Sequence, residues 1–343
     1  MHQVYVDLSQ AKARLHLSES PFTLPEELLQ VVAEDLKQSN IYPEPGSVTA
    51  TQALAHHWGI SEQNLVIGNG CDEIILNSFL KLGYQGTVLL SENSYPGYHE
   101  LGALANQTIQ YIPLGEWHVN IDKFVEYFDA NTKLAVLCNP HNPIGSVLPK
   151  HDVTRFIKVC NEHDVIPVID EAYIDFTNQI ESLMHEISSF ENILIWRSFA
   201  KSHGLAGIRL GAAVGSAHLI GKLKQAADSN PFSVNRISQR LVFEIAKHED
   251  IFAQNRENVI QTRERVETEL GQLGLWLIPS HTNFLFMQAP DNLTAEDLFC
   301  NFGVYVRDCA GYGFPNYWRV ACGSDAEMDC FLNALKTAMQ PAT

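Results

Sequence analysis

Short apolar runs rich in β-branched residues alternate, over the first two thirds of the chain, with longer stretches of helical period. The runs are Leu65–Ile67, Thr87–Leu90, Thr108–Ile112, Leu134–Cys138, Val165–Ile169 and Ile193–Trp196, and segments such as Cys71–Leu82 and His151–His163 lie between them. Alternation at this spacing predicts an α/β architecture, a mostly parallel sheet with helices on both faces. The runs are apolar throughout, as expected of strands covered on both sides. After about residue 240 a charged helical stretch, Asp250–Leu270, precedes Trp276–Ile278, Asn283–Met287, Val304–Val306 and Trp318–Ala321. These read as a smaller α+β domain that the N-terminal segment joins. The expected division is residues 1–40 as an N-terminal arm and part of the small domain, 41–240 as the large domain and 241–343 as the small C-terminal domain. The Pro-rich segment Tyr42–Gly46 reads as an exposed loop between arm and large domain.

Composition narrows the functional classes. A chain of 343 residues suits one large domain with a smaller companion. A hydrophobic fraction of 45% with 18% charged residues is that of a soluble globular protein. The net charge of -17 argues against binding a nucleic-acid backbone. The seven cysteines are scattered without CxxC spacing, which suggests neither a disulfide framework nor a zinc site. The histidines lack metal-ligand spacing, and there is no GxSxG elbow, so no metal and no serine nucleophile is expected. The first residues lack a basic start followed by an apolar run, and the apolar runs are strand-sized. The expectation is a cytoplasmic protein that engages neither nucleic acid nor membrane.

Four segments carry candidate chemistry. Val165–Ile169 runs into Asp170-Glu171-Ala172-Tyr173, and ligands of open α/β sheets bind at the carboxyl ends of strands. Asp170 there either meets a ligand or caps a helix. Ile193–Trp196 leads into Arg197-Ser198-Phe199-Ala200-Lys201, where a lysine is either a solvated turn residue or the amine of a site. Arg209, inside the Gly-rich apolar stretch 204–211, needs an anionic partner, and a phosphate that also touches Ser198 would supply one. Gly68-Asn69-Gly70-Cys71-Asp72-Glu73 joins a strand to a helix, where free backbone N–H groups and the helix dipole can hold an anion. Its other reading is a glycine turn in which Asp72 and Glu73 complement the helix start. Cys138-Asn139-Pro140-His141-Asn142-Pro143-Ile144-Gly145 is a rigid turn whose Asn142 amide can bond a ligand oxygen.

Taken together, these elements resemble the fold-type-I pyridoxal-phosphate (PLP) aminotransferases over nearly the whole chain. The histidinol-phosphate aminotransferase subgroup is similar in YPEP from Tyr42, GNGCDE from Gly68, CNPHNPIG from Cys138, VIDEAYIDF from Val168 and the SFAK…GIRLG segment. The resemblance implies the PLP-dependent transferase fold, with a mostly parallel mixed sheet flanked by helices in a large PLP-binding domain and a smaller α+β C-terminal domain. It implies that Lys201 carries pyridoxal 5'-phosphate as a Schiff base and then moves a proton at the substrate Cα. Asp170 would pair with the ring nitrogen, whose charged form a carboxylate favours, making the ring a stronger electron sink. Tyr173 and Asn142 would bond the ring hydroxyl, and Tyr95 would stack on the ring face. The phosphate would sit on the backbone of Gly70, Cys71 and Asp72, with Ser198 and Arg209 completing the cup. Tyr42 would reach the phosphate of a neighbouring subunit, which implies a homodimer. Arg319 would clamp the substrate carboxylate, a task that suits a bidentate guanidinium. Arg307 would bind a second anionic group of a small amino substrate, or else be a surface residue paired with Asp308.

Three departures from the family pattern stand out. Ala200 replaces a hydroxyl residue before the lysine, and Ile144 replaces threonine. The segment Leu17-Ser18-Glu19-Ser20-Pro21-Phe22 replaces an Asn-Glu-Asn-Pro or Asn-Glu-Tyr-Pro pattern, placing Glu19 and Ser20 at the substrate side. The expected reaction is transamination of a polar or anionic amine. The segment Cys309–Asn316 is also similar to that of the threonine-phosphate decarboxylases, so decarboxylation, or elimination with cyclisation, is the alternative. Intact Lys201, Asp170 and Arg319 speak against a non-catalytic relative.

Overall fold

The computed structural model describes residues 11–340, and its backbone is organised around two sheets. The larger sheet has the order β2 (Leu65–Asn69), β8 (Leu210–Gly215), β7 (Leu194–Ser198), β6 (Ile166–Asp170), β5 (Thr132–Cys138), β3 (Thr87–Ser91) and β4 (Thr108–Ile112). Strands β3 to β7 pair in parallel, while β8 runs antiparallel to both β2 and β7. The parallel register aligns Cys138 with Asp170 and Asp170 with Trp196, so the strand ends reach one edge together.

Helices cover both faces. Leu89, Ala135, Ile169 and Ile195 point into one apolar layer, and Val88, Val136, Val168 and Trp196 into the other. Each fully buried aliphatic side chain of this kind contributes about 1.5–3 kcal/mol relative to exposure. The edge strand β4 departs from the expectation of burial on both sides: only Ile112 is buried, and Tyr111 is 40% exposed. An edge strand has a neighbour on one side only, and helical cover ends there.

Strand β8 was hidden inside the Gly-rich stretch because LGAAVG has little of the bulk that marks a strand. The small residues have a packing reason. A Cβ on Gly211 would lie 2.5 Å from the backbone nitrogen of Cys71, so only glycine lets β8 approach the turn that follows β2.

The smaller sheet has the order β1 (Ala13–Leu15), β11 (Val304–Asp308), β12 (Tyr317–Ala321), β10 (Phe284–Gln288) and β9 (Leu277–Ile278). Its buried face packs Leu15, Leu285, Val306 and Trp318 against Val266 of the helix Glu249–Gln272 and Phe331 of the helix Asp325–Ala338. Trp117, from the segment after β4, sits among Trp276, Phe286, Phe314 and Tyr317 and ties the two halves together. No helix among the described residues is long and apolar enough to cross a membrane.

Candidate active site

A cavity opens at the carboxyl edge of the larger sheet. Its walls include Asp170 and Tyr173 after β6, Ser198 and Lys201 after β7, Asn142 after β5, and Cys71, Asp72, Tyr95 and Arg209. Segments far apart in sequence meet there because parallel strands deliver their ends side by side.

Asp170 is 5% exposed. The Ala172 N–H donates to its Oδ1 at 2.9 Å, and the Tyr98 hydroxyl donates to its other oxygen. Burial pushes the carboxyl pKa up, and the Tyr98 and Ala172 hydrogen bonds hold it back. Tyr98 belongs to the helix Gly97–Leu104 and packs edge-on against Tyr95, with ring centroids 5.4 Å apart. Sequence reasoning gave Tyr98 no role. The signal was its spacing: three residues past Tyr95, behind a proline at a helix start, it shares a face with the pocket tyrosine.

Lys201 lies on the one-turn helix Phe199–Ser202, whose first turn is closed by Ser198 Oγ accepting the Ala200 N–H at 3.3 Å. Burial, and then the positive charge of Arg319, bring its amine down to about 8 against the pull of Glu19 and Asp72. Its Nζ lies 5.9 Å from the centre of the Tyr173 ring. The amine is therefore poised to exchange a proton near neutral pH.

The opposite wall is an anion cup. The helix Cys71–Leu82 starts at Gly70, which has φ of 78°. A Cβ on Gly70 would come within 2.5 Å of Arg209 Nη2, so the glycine makes room for the guanidinium. Arg209, itself held at φ of 67°, reaches Asp72 at 3.0 Å and the Ala206 carbonyl at 3.3 Å. Tyr95 donates its hydroxyl to the other Asp72 oxygen at 3.0 Å. The Asp72 side chain thus positions both residues, beyond the backbone role expected of it. Register places Ser198 opposite Gly211, which brings its hydroxyl to the same end of the sheet. Unpaired N–H groups at a helix start, a guanidinium and a hydroxyl are the kinds of donor that can hold an anion such as a phosphate.

Arg319 and Arg307 form a cationic cluster that does not itself line the cavity and reaches it through Asn142. Arg319 is buried on β12 and donates to Asn142 Oδ1 at 2.7 Å, to the Tyr312 hydroxyl at 3.3 Å and to the His16 carbonyl at 3.2 Å. Arg307 lies opposite Arg319 in register and donates through Nε to that same carbonyl at 3.3 Å. It does not pair with Asp308, whose carboxylate accepts the Ala310 N–H at 2.7 Å. Glu19 faces Arg14 at 3.9 Å, and Ser20 Oγ accepts the Phe22 N–H at 3.2 Å; neither lines the cavity. Tyr42 also lies outside it, 76% exposed and stacked on Phe232 with ring centroids 4.7 Å apart.

Behind the cavity, the buried Arg197 pairs with Glu171 at 3.3 Å and Asp175 at 2.7 Å, linking the ends of β6 and β7. Burial opposes ionisation of Asp175, but Arg197 and His203 outweigh it and hold the carboxyl down at about 2.

The model of the family described as aminotransferase class I and II matches residues 11–335. A histidinol-phosphate aminotransferase of Clostridium botulinum is 32% identical over 331 residues, covering 94% of this chain and 91% of that protein. Among solved structures, the histidinol-phosphate aminotransferase of Sinorhizobium meliloti in complex with pyridoxal-5'-phosphate superposes with a TM-score of 0.85 at 24% identity, covering 95% of this chain and 90% of that one. The L-threonine-O-3-phosphate decarboxylase of Porphyromonas gingivalis gives a TM-score of 0.81 at 22% identity, covering 95% and 99%.

Proposed function

The chain belongs to the class I and II aminotransferases, enzymes that work with pyridoxal 5'-phosphate, and from that premise we propose that it transfers the amino group of a small polar amine carrying an anionic tail. The observation that carries the reading is the meeting of a buried carboxylate, an amine of lowered pKa and an anion cup in one cavity.

That donor set fits the cofactor. Gly70, Cys71, Asp72, Ser198 and Arg209 would hold its phosphate, Tyr95 its ring face, Asn142 and Tyr173 its ring hydroxyl, and Lys201 would anchor it. Asp170, whose carboxyl the Tyr98 hydroxyl holds back against the upward push of burial, would stabilise positive charge at the ring nitrogen. When bound, the cofactor supplies an electron sink for the bond that breaks at the substrate Cα.

The protein's own residues do the rest. The Lys201 amine, neutral in part near pH 8, takes the Cα proton and gives one back, as a general acid and base. Arg319, held by Asn142 and Tyr312, orients the substrate through an anionic group, and Arg307 adds a second cation beside it. Histidinol phosphate is the amine named for the curated relative, and its phosphate would suit this pair of cations. The exposed Tyr42 and Phe232 would be covered by a second copy, whose cavity Tyr42 would complete.

The test is a panel of amino donors with 2-oxoglutarate, including histidinol phosphate, aromatic amino acids and arginine derivatives. Stoichiometric glutamate with one of them supports transamination. Release of CO2 or water without glutamate would overturn it in favour of decarboxylation or elimination.

A further inference from the structure

The helix that carries Lys201, Phe199–Ser202, is a single turn, too short to hold its shape by its own backbone bonds. Ser198 closes its start, and the Leu205 N–H donates to the Phe199 carbonyl at 3.1 Å. Further support comes from the two residues after the lysine. Ser202 is buried, and its Oγ lies 2.9 Å from Nδ1 of His203. The His203 side chain is 9% exposed, with its ring packed on Phe199 and Phe252, each centroid 4.9 Å away. Its Nε2 faces Glu249 at 3.6 Å. The same carboxylate takes Arg256 at 2.5 Å and has His57 at 3.9 Å. Burial opposes ionisation of Glu249, but the bonds from His203 and Arg256 outweigh it and hold the carboxyl below its usual range. An ionised carboxylate only accepts, so Nε2 carries a hydrogen toward it, while Nδ1 is bonded to the Ser202 hydroxyl in either charge state of the ring.

We propose that His203 is a positioning residue for Lys201: with Ser202 on one ring nitrogen and Glu249 on the other, it locks the turn that carries the amine to the start of the helix Glu249–Gln272. Val266 and Leu270 of that helix pack in the core of the smaller sheet, which carries Arg319. The tie thus fixes the amine relative to the element that orients the substrate. It acts from behind the site, since none of Ser202, His203 and Glu249 lines the cavity. Packing alone does not explain the residue. A ring set against two phenylalanines needs no polar atoms, and an imidazole removed from water is favoured only by what its nitrogens bond. Here one bond goes to the neighbour of Lys201 and the other to a different helix. The proposal rests on the reading of Lys201 as the cofactor's anchor and adds what holds that anchor in place. With the tie cut, the turn loosens and water reaches the amine. Burial, the first cause of its lowered pKa, then weakens.

The test reads the amine itself, by acetic anhydride labelling of the full cofactor-free chain across the alkaline range, with the Lys201 peptide followed by mass spectrometry. His203→Phe keeps the ring and removes both nitrogens, Glu249→Gln cuts the tie from the other helix, and His203→Gln keeps an amide that can reach Glu249. The Lys201 midpoint should rise by about half a pH unit or more in His203→Phe and in Glu249→Gln. The double variant should add little to either, because both remove one link. His203→Gln should return most of the wild-type midpoint. Lys224, on the helix Ala217–Ala227 packed in the other apolar layer, is also lowered by burial and should keep its midpoint throughout, which shows that the variants are folded. An unchanged Lys201 midpoint in His203→Phe and Glu249→Gln, whatever their melting temperatures, overturns the proposal, and so does a double variant whose shift is the sum of the two. A wild-type Lys201 that labels with its ordinary midpoint of 10.5 instead sinks the reading of Lys201 on which the proposal stands.

Discussion

Tyr98, buried among aromatic side chains, donates its hydroxyl hydrogen to the carboxylate of Asp170, a residue 72 positions further along the chain. The second Asp170 oxygen is taken by the Ala172 N–H. A desolvated carboxyl tends to protonate, and a protonated Asp170 could not stabilise charge on a ring nitrogen.

Tyr98→Phe removes that donor while keeping the ring. A hydrogen bond to a charged group contributes about 1.5–3 kcal/mol, so turnover should fall roughly 10- to 100-fold. The acid limb of the kcat/KM profile should move to higher pH, because Asp170 loses a contact that favours its ionised form. A pH–rate series on wild type and variant measures both.

Lys201 makes a prediction for the cofactor-free protein. Its folded pKa is about 8, below its ordinary 10.5. Between those values the unfolded chain holds a proton that the folded chain has lost, so the residue's contribution to stability rises with pH across that window. Below pH 8 the penalty of burying the charge is fully present. Lys201→Met should therefore stabilise the apoprotein at pH 7 by roughly 2 kcal/mol after allowing for partial exposure, and the gain should vanish by about pH 10.5. Denaturant melts at pH 7 and above pH 10 check the sign.

Arg209 contributes to the anion cup, and its pairing with Asp72 is solvent-accessible enough to be worth little by itself. Its guanidinium is thus free to serve a phosphate. Arg209→Met should weaken cofactor affinity by roughly 10- to 100-fold, with a smaller loss of kcat at saturating cofactor. Fluorescence titration of apoprotein with pyridoxal 5'-phosphate separates the two effects.

Asp175 ties stability to acid. Its folded pKa of about 2 lies below its ordinary 3.8, so its contribution is complete above pH 4 and is lost as pH falls toward 2. Asp175→Asn should cost roughly 2 kcal/mol at pH 7, and the difference from wild type should close near pH 2. Equilibrium unfolding at the two pH values reads it.

Much of this was legible in the residues, for identifiable reasons. Parallel strands are apolar from end to end, so β5, β6 and β7 announced where they stop, and Asn142, Asp170 and Lys201 follow those stops and line one cavity. β8 was illegible because its glycine and alanine residues answer to a close approach to Cys71, which only three dimensions reveal. The exposure of β4 was missed because an edge position is a property of the sheet's order. Tyr98 carries only its spacing from Tyr95 as a mark, because its task is defined by a carboxylate from another strand. Asp72 was assigned a backbone task, and its side chain proved to hold Tyr95 and Arg209 as well.

The most direct test of the central claim is to reduce the holoenzyme with borohydride and map the modified peptide by mass spectrometry. The account predicts that the visible absorbance disappears and that the cofactor is fixed to Lys201 alone. In Lys201→Ala nothing should be fixed. Absence of any fixed cofactor on the wild-type protein, or its attachment to a different lysine, would contradict the assignment.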